Sequence, residues 1–149
     1  MKSAQARLSL GLVMAIAVGL LVGVSPAVRA EERNADSPCS NATLNGSYGF
    51  YRTGSTPAGP LVAIGLLSFD GKGNSTVIQN ISRNGEFEFD VTFPGLYGVA
   101  ADCTGKGFTP EGVEFVRLVV VDNGKGFYIF SESHGNAIYG VGTKIHTDR

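Results

Sequence analysis

The sequence predicts an all-β domain: a single eight-stranded antiparallel up-and-down β-barrel, stapled by one disulfide. Three observations lead there. Apolar, strand-like runs alternate with short glycine turns from residue 44 onward. Beyond an N-terminal apolar segment, no stretch of ten residues carries the helical period. An eight-strand meander would expose its edges unless it closed, which favours a barrel over a two-sheet sandwich.

The chain has 149 residues. Lys2 and Arg7 precede an apolar stretch from Leu8 to Val24, Ser25-Pro26 breaks it, and Val28-Arg29-Ala30 offers a cleavage register. Residues 1–30 are therefore expected to be a signal peptide, 31–38 a flexible leader, and 39–149 the β-barrel domain, in a secreted or periplasmic protein. Once the signal is removed, no stable membrane insertion is expected.

Eight strands are expected at Leu44–Arg52, Leu61–Phe69, Ser75–Arg83, Glu86–Phe93, Leu96–Cys103, Phe115–Val121, Phe127–Ser133 and Ala137–His146. Glu86–Phe93 alternates perfectly, which places Phe87, Phe89, Val91 and Phe93 on one face, expected to be buried. Asp70-Gly71-Lys72-Gly73-Asn74, Asn84-Gly85, Pro94-Gly95, Asp122 to Gly126 and His134-Gly135-Asn136 read as turns. The link from Thr104 to Glu114 is long enough to hide a short edge strand.

Without residues 1–30 the chain carries nine basic and thirteen acidic residues, a net charge of −4 with no basic cluster. That balance argues against nucleic-acid binding. Gly-Lys-Gly occurs at 71–73, 105–107 and 124–126, but none of the three opens a helix, so turns are expected rather than phosphate cradles. Four Asn-x-Ser/Thr sequons, at Asn41, Asn45, Asn74 and Asn80, fall among turn-rich sequence and are read as coincidence.

Cys39 and Cys103 are the two cysteines, and in an exported chain an even pair is expected to join. The bond would close a loop of 64 residues; on the chain-entropy account that is worth about 4 kcal/mol. No Cys-x-x-Cys occurs and neither His134 nor His146 has ligand spacing with a cysteine, so no metal is expected.

Cys39 to Phe50 (CSNATLNGSYGF), Gly65 to Asn74 (GLLSFDGKGN), Tyr97 to Gly105 (YGVAADCTG) and Val119 to Gly126 (VVVDNGKG) resemble segments of a large set of small exported bacterial proteins of unassigned function. Their barrels are similar to the calycin-like allene oxide cyclase and dirigent barrels. The resemblance spans most of residues 39–145 and implies the barrel. It matches no catalytic motif of those families, so no catalytic residue and no cofactor is carried over.

Candidate ligand-binding residues are Arg117, Glu132, Tyr97 and Tyr139. Arg117 is the lone cation in the apolar run Phe115–Val121. Pointing inward it would bind an acidic ligand; pointing outward, its stem would lie on apolar surface with its head in water. Glu132 and His134 share a strand face, an acid–base pair in one reading and a solvated strand end in the other. The tyrosines, Tyr97 and Tyr139 among them, line a pocket or fill a plain core, since eight strands leave room for packed side chains or one small ligand.

Three functions are weighed. One is an exported, non-catalytic barrel that binds a small apolar or acidic ligand or acts at the cell envelope. A cofactor-free cyclase or dirigent-like stereochemical guide is the second. A ligand-free structural or interaction module, with oligomers allowed, is the third. A greasy cavity favours the first, convergent polar side chains in a cavity the second, and a filled interior the third.

Overall fold

The computed structural model describes residues 38–145. The expected signal peptide, nearly all of the leader, and His146 lie outside these residues. Eight strands close an antiparallel barrel in sequence order: β1 (Asn45–Thr56), β2 (Gly59–Asp70), β3 (Asn74–Arg83), β4 (Glu86–Val99), β5 (Thr104–Phe108), β6 (Glu114–Val121), β7 (Gly126–Ser131) and β8 (Ala137–Lys144). The last strand pairs back onto the first, Tyr51 opposite Val141 and Arg52 opposite Gly140, so the sheet closes on itself.

The expected strand count holds, but two strands are made differently. Pro94-Gly95 is not a turn, because both residues continue β4 through its pairing with Ser75 and Thr76. The fourth and fifth expected strands merge into the 14-residue β4. The observed β5 comes from the link after Cys103.

The stripe of phenylalanines is a second correction. Two residues of β4, Phe89 and Asp90, stand against Asn80 alone, since Gln79 pairs with Val91 and Ile81 with Glu88. Asp90 takes φ +54° and its N–H donates to Asn80 Oδ1 at 2.9 Å. Such a bulge reverses which face each preceding residue takes. Val91 and Phe93 are part-buried, whereas Phe87 and Phe89 stack on each other outside, 68% and 72% exposed. Glu88 on the other parity pairs with Arg83 at 3.1 Å.

One end of the interior is filled by Leu44, Tyr48, Phe69, Tyr97 and Phe127, whose rings meet mostly edge to face. A 3-10 turn at Asn41–Thr43 covers this end. The Tyr48 hydroxyl donates to the Gly124 carbonyl at 2.6 Å, and the Tyr97 hydroxyl lies 2.9 Å from the carbonyls of both Asn41 and Leu44. The Cys39–Cys103 disulfide is formed and ties the residues before β1 to the β4–β5 turn. Such a bond fits an oxidising compartment. Among the described residues no helix is long and apolar enough to cross a membrane.

A separate core cluster, Leu61, Ala63, Ile81 and Ile138, with Val91 against it, occupies a different part of the interior. Between the two clusters the barrel is not filled.

Candidate functional site

That unfilled space is a cavity of about 80 Å³, lined by Phe50, Phe69, Tyr97 and Leu118 of one cluster and by Ile138 of the other. Val77, Phe93, Phe115 and Ile129 complete most of the apolar wall. Two larger polar side chains reach it, Arg52 and Gln79. Gln79 is only 2% exposed and its Oε1 has no hydrogen-bond partner among the described residues; Arg52 Nε is likewise buried without one. Buried polar groups are nearly always partnered, so two orphans lining one cavity stand out against the rest of the interior.

Strand register explains how they come to share it. On β1 the inward residues are Tyr48, Phe50 and Arg52; on β3 they are Val77, Gln79 and Ile81. Arg52 pairs with Ala63 and Gln79 with Gly65, two residues apart on the strand between them. Ala63 and Gly65 are small, which leaves a shelf on the inner wall flanked by the guanidinium stem and the amide. A Cβ at Gly65 would lie 2.9 Å from Gln79 Cβ and 2.0 Å from the Ile78 carbonyl oxygen, so glycine is what permits this approach. Desolvation, and then the positive charge of Arg83, hold Arg52 below the ordinary guanidinium range. Arg83 has its own carboxylate in Glu88. Among the described residues no carboxylate is paired with Arg52.

Of the residues singled out from sequence, Tyr97 lines the cavity, with its hydroxyl turned to the Asn41 and Leu44 carbonyls. Arg117, Glu132 and Tyr139 are on the outer wall. Arg117 is 51% exposed at its side chain and bridges Glu114 (2.7 Å) and Glu132, while Lys106 holds the other Glu114 oxygen at 2.8 Å. The Lys106 hydrogen bond is the main reason the Glu114 carboxyl sits below its usual range. As an interior anchor Arg117 is thus corrected: Leu118 and Val120 take the inward places on β6. A bulge at Phe115 sets that parity, since Gly107 pairs with Val116 and Phe108 with Glu114. Glu132 is committed to Arg117, and among the described residues no hydrogen bond joins it to His134, which is exposed in the β7–β8 turn. Tyr139, 58% exposed, stands across from Phe130 on the outer face of β8.

Sequence reasoning missed Arg52 and Gln79. The signal was present for Arg52: Tyr48, Phe50 and Arg52 share parity in a run whose other face is Gly49, Tyr51 and Thr53. For Gln79 no comparable signal exists, because Ile78 on the outer face is as apolar as its inward neighbours. Among the described residues no group of three or more His, Cys, Asp or Glu is placed to hold a metal ion. No protein-family model matches this chain, and neither a curated protein nor a solved structure matches it.

Proposed function

We propose that this barrel is a non-catalytic binding protein that takes a small, largely apolar molecule into its interior, acting outside the cytoplasm. The cavity between the two core clusters carries this reading. An apolar cavity of about 150 Å³ accepts benzene, so about 80 Å³ suits a molecule of a few heavy atoms and leaves no room for a fatty-acid tail. The apolar N-terminal segment and the formed disulfide support export.

Two convergent polar side chains are also what a cyclase or stereochemical guide would need. The described lining residues, however, hold no carboxylate, imidazole, ammonium or thiol, and the Tyr97 hydroxyl is already engaged. The other hydroxyls of the lining, Ser75 and Ser131, have no acid or base beside them among its residues. The test is xenon binding followed by amide NMR: saturable shifts at cavity residues in the parent, abolished in Val77→Phe or Ile129→Phe, are expected. A parent that shows no saturable shift excludes the reading.

One observation favours a second reading, an interaction module that associates with a second copy of itself. From Tyr128 on β7 through β8, β1 and β2 to Ile78 on β3, the outward side chains carry no charge apart from Asp70 at the end of β2. Register sets Tyr128, Val141, Tyr51 and Ile64 in one row. Nine large apolar side chains there and on adjoining β6 are about half exposed. They present on the order of 800 Å², comparable to one partner's share of a standard interface and above the largest patch of a typical monomer.

A further inference from the structure

We infer that the cavity ligand is a small monocarboxylate, its carboxylate paired with Arg52 and hydrogen-bonded by the Gln79 amide, its two to four carbons lying against Phe50, Val77, Leu118 and Ile138. This rests on the interior-binding reading and names its ligand class. Three observations converge on it. Arg52 is a half-buried cation with a fully buried Nε, and it lines the cavity with no carboxylate among the described residues to neutralise it, whereas the other arginines of the described barrel, Arg83 and Arg117, each have one. Partly desolvating an unpaired charge is costly, and an anion brought in from outside offsets that cost.

Gln79 supplies the second contact. The residue is 2% exposed, shares the lining with Arg52, and can present either its N–H₂ or its carbonyl by rotation. One guanidinium and one neutral amide match a single negative charge, not the two of a phosphate dianion. The remaining walls, aromatic and aliphatic, suit a short alkyl body, and the volume limits its length.

The test compares propionate with propionamide, the same shape without the charge, on the full chain with the Cys39–Cys103 bond formed, at pH 7 in low-chloride buffer. Calorimetry or NMR titration should give propionate at least a tenfold lower Kd, the ratio expected of a charge-assisted pair. Affinity should rise from acetate to propionate or butyrate and fall at octanoate. Arg52→Met should abolish the preference for acid over amide while xenon still binds, and Gln79→Leu should weaken the acid more than the amide. The acid–amide comparison on the parent needs no variant, so a variant that fails to fold does not shield the inference. Equal affinity for acid and amide, or tighter binding of inorganic phosphate than of propionate, overturns the carboxylate assignment while xenon binding keeps the cavity reading intact. Loss of all three, xenon, acid and amide, overturns both.

Discussion

Gly140 stands directly across the β1–β8 ladder from Arg52, and the hydrogen in place of its side chain is what lets the two strands approach this closely there. A Cβ at position 140 would lie 2.8 Å from Arg52 Cβ and 2.4 Å from the Tyr51 carbonyl oxygen. Backbone cannot yield as a flexible side chain can. Gly140→Ala is therefore expected to cost about 1–3 kcal/mol, the range for overpacking an interior. Gly98→Ala, at a position where a Cβ meets nothing within 4 Å, should change stability by less than about half a kcal/mol. Urea denaturation of the two variants checks this; equal midpoints would mean the Arg52 site tolerates a wider barrel.

The bulge at Asp90 makes a sharp distinction among phenylalanines. Phe127 is 1% exposed in the main core cluster, while Phe89 lies outside. Phe127→Ala should cost about 3–5 kcal/mol, and Phe89→Ala no more than about half a kcal/mol. A large loss from Phe89→Ala in chemical denaturation would restore the face that unbroken alternation suggests.

The β2–β3 turn makes stability depend on acid pH. Asp70 accepts from Asn74 Nδ2 (2.6 Å) and from the backbone N–H groups of Lys72 (2.7 Å) and Asn74 (2.9 Å). These bonds, the Asn74 side chain first, lower its carboxyl to about 2. In the unfolded chain an aspartate titrates near about 3.9. Its contribution is thus fully present above that value, and it is lost as pH falls from there through about 2. Denaturation midpoints of the parent should fall over that window, and Asp70→Asn should fall less steeply. Parallel curves would show that the turn does not hold the carboxylate.

Self-association of the uncharged outer wall predicts that Ile64→Lys, at the centre of the Tyr51–Ile64 row, shifts sedimentation toward monomer without lowering the thermal midpoint of the monomer. A parent that sediments as a monomer at high concentration would remove the second reading.

Strand number, closure and the disulfide were legible because they depend on local features: runs of β-formers, glycine turns and an even cysteine pair in an export context. Inside versus outside was less legible. On β2, Leu61 and Ala63 point in while Val62 and Ile64 point out, so polarity does not mark the faces. In Glu86–Phe93 polarity does alternate, yet the bulge opposite Asn80 reverses its meaning midway. Arg117 could be read either way because its run is apolar on both faces; Glu114 and Glu132, which hold it outside, reach it through a bulge and a neighbouring strand. Arg52 and Gln79 are joined by register across β2, a relationship no single strand displays.

The central claim is that ligand is held inside the barrel by the Arg52 and Gln79 wall. Amide and methyl chemical-shift mapping during a propionate titration tests it most directly. The account predicts saturable shifts at Phe50, Val77, Gln79, Leu118 and Ile138, with Arg117, Glu132 and Tyr139 unmoved. Shifts gathered on those outer-wall residues, or no saturable shift at any interior position, would contradict it.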